Sequence, residues 1–266
     1  MNLALAGLSY GITLVALVLL AVRTKALIGI YKKGQPDPTR STNKFQRLRM
    51  AAREIFGHTK MLNFTVVGFA HWFVMVGFFA LFGTLITAYG QLINPEFALP
   101  VIGHVWVYEF ITELVAWSTG IGIVALIGIR QVTRLGNKRS RFAGSGNAKA
   151  YYVEFTIVLI VFCVIALRGL EGALSDETSW NRHYITTWFI ADMFNSMSTS
   201  QITSWIQIVA TIKIVGSMTW FIVIATNFTM GIAWHRFLAP FNIFYRRNAD
   251  GTSSLGALPP MLSHGE

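Results

Sequence analysis

The sequence predicts an all-α integral membrane protein, a five-helix bundle. Of its 266 residues 53% are hydrophobic and only 13% charged, the balance of a chain whose main solvent is lipid. Five apolar runs each approach or exceed the ~20 residues needed to cross the hydrocarbon of a bilayer. The Lys and Arg residues gather in loops on one side of those runs, as the positive-inside rule requires.

The first run, Met1 to Val22, begins its apolar stretch at Leu3 with no basic segment before it, and the basic cluster follows it. It reads as a retained helix rather than a cleaved leader. The second run extends from Met61 to Pro95. The third, Phe97 to Ile129, is interrupted only by Glu109 and Glu113. The fourth centres on Phe155 to Leu167 with apolar flanks. The fifth runs from Met193 to Ile212 and, past Lys213, from Ile214 to His235. Residues 1–247 thus form the membrane domain. Residues 248–266, with ADGTSSLG and two prolines, read as a flexible linker.

Residues 23–60 carry ten Lys or Arg against Asp37 and Glu54, and residues 130–150 carry six with no acid. Both segments are assigned to the cytoplasm. Residues 168–201 hold Arg168 and Arg182 against Glu171, Asp176, Glu177 and Asp192, so they belong outside. The N-terminus is then outside and the C-terminus cytoplasmic, in a cell inner membrane. The net charge of +10 sits mostly beside spans, so anionic phospholipid is the expected partner and nucleic acid is not. The lone Cys163 excludes a disulfide, a CxxCH haem attachment and a cysteine-ligated cluster within the chain. It reads as a small core hydrophobe.

Two histidines in apolar surroundings carry the functional argument. His71, in VVGFAHWFVMVGFF, lies about ten residues into the second span, roughly 15 Å along it at 1.5 Å per residue. His235, in GIAWHRFLAPFNIF, ends the fifth. Facing imidazoles in a helical bundle can hold a haem iron from both sides. Gly68 and Gly231, one turn before each histidine, leave room for a flat macrocycle or let helices pack closely. His71 also reads as a hydrogen-bonded core residue, and His235 as an interfacial one. His58, two residues before Lys60, reads as solvated or headgroup-facing and is the reserve ligand. His104, His183 and His264 show no buried partner in the sequence. Arg236 reads as a propionate partner or as a positive-inside anchor.

The strings HRFLAPFNIF and VVGFAHWFVMVGFFALFGTL resemble the last and second helices of the haem b gamma subunit of respiratory nitrate reductase and its relatives. Among heterodisulfide-reductase-like relatives an Asn follows the Pro closely, as Asn242 does here. With AWHRFLA and the RNADG linker, the chain is similar over residues 1–247 to the membrane domains of bacterial oxidoreductases that pass electrons from electron-transfer flavoprotein to menaquinone. The resemblance implies a nitrate-reductase-gamma-like cytochrome b with one haem b on His71 and His235. It also implies menaquinone as substrate, and a cytoplasmic iron–sulfur domain or subunit beyond the linker as partner. The positions of the family's second pair of haem ligands fall on Leu81 and Ser217, or on Lys213 if the alignment takes a gap, so one haem is expected rather than two.

Glu109, Glu113 and Lys213 are charged residues inside spans and need partners there. Either Lys213 pairs with Glu113 in a structural role, or the three carry protons to a bound quinone. The segment 182–194, with Ile185, Trp188, Phe189 and Asp192 at near-helical spacing, is expected to cap the bundle in the outer interface. A competing class is a haem-free membrane anchor or transporter subunit, with the same three residues lining a polar path.

Overall fold

The computed structural model describes residues 2–135, 147–177 and 179–252; His264 lies outside the described residues. These residues form helices and turns, with no strand among them. Five helical stretches are long and apolar enough to cross a membrane: Leu3–Tyr31, Leu62–Ala80, Trp106–Thr133, Ala148–Leu174 and Thr199–Thr226. The protein is therefore built for a lipid bilayer, which leaves every spanning backbone group to be satisfied within its own helix.

Helix α1 (Leu3–Tyr31) starts where the Asn2 side chain accepts from the amides of Ala4 and Leu5, filling two of the donors a helix start leaves open. It runs nine residues beyond Val22, carrying Arg23 and Lys25 out on the helix itself. The amphipathic α2 (Lys44–Phe56) follows. The second apolar run is two helices, α3 (Thr65–Ala80) and α4 (Phe82–Gln91), parted at Leu81. Just past the break Thr84 Oγ1 donates to Leu81 O at 2.6 Å, and Lys213 Nζ donates to Thr84 O at 2.8 Å. Helix α5 is Trp106–Leu135, α6 Asn147–Leu174 and α7 Trp188–Met193.

Helix α8 (Thr199–Thr226) opens with a capping box between Ser198 and Gln201, which satisfies two start donors reciprocally. It is the central helix. Half of its apolar window is buried, against 17% for the peripheral α1, and it packs on α1, α4 and α6. Ile206, Ala210 and Ile214 of α8 meet Leu92, Cys163 and Leu170 in the main core, so Cys163 is a packing residue as expected.

The fifth span does not reach His235. It ends at Thr226, and α9 (Gly231–Phe244) is a separate helix. The last carbonyls of α8 are met by the Asn227 side chain, which donates to Val223 O at 2.8 Å, and by Trp234 Nε1, which donates to Ile224 O at 3.1 Å. That is the side-chain capping a helix end requires, and it turns the chain back onto α2 and α6. Arg47 of α2 then fastens α9's far end: its guanidinium donates to the carbonyls of Phe244, Arg246 and Arg247. Glu54 and Arg246 add a two-pronged ion pair at 2.6 Å on each prong.

Candidate functional site

Three histidines meet where α2, α3 and α9 converge, at the end of the bundle that holds the basic loops. The loop after α2 carries His58, whose ring is buried. Its backbone has φ +49°, a left-handed conformation that few side chains adopt. Trp72 Nε1 of α3 donates to Phe56 O at 2.9 Å and ties this loop to the helix. His58 Nδ1 lies 3.2 Å from Ile55 O, and His58 Nε2 lies 2.8 Å from His71 Nδ1. The two rings stack with centroids 5.1 Å apart. On the other side of His71 stands His235, centroid to centroid 6.1 Å, and His235 Nδ1 is 3.3 Å from Gly231 O in its own helix. His58 is thus neither solvated nor headgroup-facing: its position after α2 folds it against α3.

The surrounding residues sort into two groups. A Cβ added at Gly68 would collide with Met61 O, so Gly68 is there for close backbone packing. At Gly231 a Cβ would meet nothing within 4 Å, and Gly231 and His235 are both exposed. Arg236 is half-buried: its guanidinium lies over the rings of Phe78 and Trp220 at 5.1 and 5.5 Å, a geometry worth about 0.5–2 kcal/mol. It also lines an apolar cavity of about 100 Å³. Leu81 and Ser217 face that same cavity, and neither offers a metal ligand.

Outside the spans, Arg246 holds the Glu54 carboxyl below the usual carboxylate range, chiefly through its hydrogen bonds. This pair ties α2, which precedes His58, to the chain just beyond α9, which carries His235.

A second polar site lies at the opposite end. Here the expected pairing of Lys213 with Glu113 is not what forms. Lys213, 1% exposed, donates to Thr84 O and Thr84 Oγ1 at 2.8 and 2.7 Å, tying α8 to the start of α4. Glu113 is met by Arg168, whose Nε and Nη2 approach Glu113 Oε1 at 3.3 and 3.2 Å. Thr187 Oγ1 donates to the same oxygen at 2.8 Å, and the Thr186 amide and hydroxyl donate to the other at 2.8 and 2.6 Å. Arg168 also bonds Glu171 at 2.8 Å and the carbonyl of His183. Glu109 takes His183 Nδ1 at 2.6 Å and lies 3.8 Å from Arg168, so His183 has a buried acidic partner after all. The segment 182–194 caps this end, as expected, with α7 packed on α6.

Arg168 was placed in the outer loop by its charge, yet it lies inside α6 and is 8% exposed. The signal that could have found it is the demand of Glu109 and Glu113 for a cation at their own depth. Glu109, Arg168, Glu171, Tyr184 and Lys213 line a cavity of about 400 Å³ together with Gln91, whose Oε1 is buried without a partner, and His104.

Among the described residues no group of three or more His, Cys, Asp or Glu side chains could hold a metal ion. What the basic end offers is a pair of imidazoles, fit for an ion whose other ligands come from elsewhere. The chain matches no family model, no curated protein and no solved structure.

Proposed function

We propose that this chain is the membrane electron-transfer domain of a quinone-linked oxidoreductase, holding one haem b between His71 and His235. The observation that carries the reading is the spacing of the two imidazoles. Rings whose nitrogens each stand about 2 Å from a shared iron have centroids about 6 Å apart, and these stand at 6.1 Å. Among the described residues His71 engages Nδ1 with His58 and His235 engages Nδ1 with Gly231 O, as metal-bound histidines engage the nitrogen that is not on the metal.

A porphyrin supplies the four ligands that the absent acidic and thiol groups do not. The open flank at Gly231 and His235 leaves room for a macrocycle, and the apolar cavity under Arg236 can receive one edge of it. Arg236 would there meet a propionate, a charge-assisted contact. Bound in this way, haem b supplies one-electron transfer between a cytoplasmic iron–sulfur or flavoprotein donor at the basic end and menaquinone in the bilayer. The basic loops at that end support a cytoplasmic placement in a bacterial cell. One haem, rather than two, is supported by Leu81 and Ser217 at the other candidate ligand positions.

The cavity at the opposite end supports a quinone site, with Glu109 and Lys213 on its wall and the partly exposed His183 bonded to Glu109. Glu113 accepts five hydrogen bonds and belongs to the scaffold of that end, which supports the structural reading of its charge. The same cavity would serve a haem-free transporter subunit. The deciding experiment is the reduced-minus-oxidised absorbance of purified protein. A bis-imidazole haem b spectrum is expected, lost in His71→Ala and in His235→Ala. Folded protein without pigment, or a spectrum unchanged in either variant, refutes the haem assignment.

A further inference from the structure

The hydrogen bonds around His58 determine which nitrogen of His71 carries the proton. Ile55 O can only accept, so His58 Nδ1 is the donor of the 3.2 Å contact. A neutral imidazole with its proton on Nδ1 has an acceptor at Nε2. The 2.8 Å contact to His71 must then be donated by His71 Nδ1, and His71 Nε2 is left with its lone pair.

We infer that His58 is a positioning residue for His71: it fixes the ring orientation and tautomer that present Nε2 as a ligand. The inference rests on the haem reading for its purpose and on the hydrogen-bond chain for its substance. Two further observations support it. His58 adopts φ +49° while buried to 8% exposure, and unusual backbone held in a packed setting is where functional geometry is stored. The loop is pinned from both sides, by Trp72 Nε1 on Phe56 O and by the Glu54–Arg246 pair that ties α2 to the end of α9. His58, His71 and His235 are therefore held as one unit, with His58 behind the ligand rather than on the metal.

The test uses the full chain in detergent, as wild type, His58→Leu and His58→Gln. Leucine removes the acceptor; glutamine keeps an oxygen for His71 and an amide for Ile55 O, and it covers the case in which the leucine variant fails to fold. Nitrogen-15 histidine spectra of the haem-free protein should show His71 protonated at Nδ1 in wild type and His58→Gln, and shifted towards the other tautomer in His58→Leu. Haem affinity should fall roughly 10- to 100-fold in His58→Leu, as for other partners of metal-bound histidines, with a more positive reduction potential and recovery in His58→Gln. A His71 tautomer and haem affinity unchanged by His58→Leu would overturn the inference. So would loss of the bis-imidazole spectrum in His58→Leu at saturating haem, which would make His58 itself a ligand. Wild-type protein that binds no haem while the tautomer still responds would defeat the haem reading alone.

Discussion

Replacing Arg168 by Met should destabilise the end of the bundle opposite the histidines by about 3 kcal/mol, the low end of the ~3–5 kcal/mol found when one partner of a buried ion pair is removed. The Glu113 side chain is 0% exposed and the Arg168 side chain 10%, so water cannot take over what the guanidinium provides. The low end applies because Thr186 and Thr187 would still donate three hydrogen bonds to Glu113. The same substitution frees Glu171 and the His183 carbonyl, which loosens the cap over residues 182–194. The assay is denaturant unfolding in mixed micelles followed by helical circular dichroism, with protease cleavage of the cap as a second readout. Arg168→Met/Glu113→Gln should recover part of the loss, because the uncompensated buried charge disappears. A loss below ~1 kcal/mol for Arg168→Met alone, the value of an exposed pair, would refute the claim that this network is shielded from water.

Two predictions concern other parts of the fold. Gly77→Ala should cost about 1–3 kcal/mol by overpacking, because its Cβ would collide with Thr119 Oγ1 across the α3–α5 contact; Thr119→Ala in the same chain should restore thermal stability, and equal melting of Gly77→Ala and wild type would show the helices can part freely. The Glu54–Arg246 clamp predicts a pH dependence with a definite sign. The Glu54 carboxyl is lowered in the folded protein from its ordinary value of 4.5, so its contribution is complete above that value and is lost as the pH falls through the lowered one. The thermal midpoint should therefore drop on acidification below about pH 4 more steeply in wild type than in Glu54→Gln. Parallel curves would remove the clamp from the account.

The five spans were legible because hydropathy over some 20 residues is a long-range average, insensitive to any one side chain. The same averaging hid what lies at their ends. Arg168 interrupts the apolar pattern, so a reading by charge put it in a loop, although three acids from α5 and α6 pull it into the bundle. The end of α8 was hidden in the opposite way. Residues 227–230 carry no charge, yet Asn227 and Trp234 cap the helix and start a new one. His71 was legible from its depth. The contact of His58 with His71 was not, because thirteen residues and a loop separate them and no periodicity relates them.

The break between α8 and α9 bears directly on the histidines. Had α8 run on to His235, that imidazole would stand on a rigid span, and its distance from His71 would be set by bilayer packing. On a separate helix, the distance is set instead by what holds α9: the Trp234 cap at its start, the Arg47 and Glu54 clamp at its end, and Arg236 lodged over Phe78 and Trp220 between them. Pro240, within α9, weakens the helix between these anchors by removing one backbone donor. The histidine spacing is thus governed by contacts that reach to residues 244–247, at the end of α9 and just beyond it. Anything that displaces residues 244–247 would act on the same contacts that position His235.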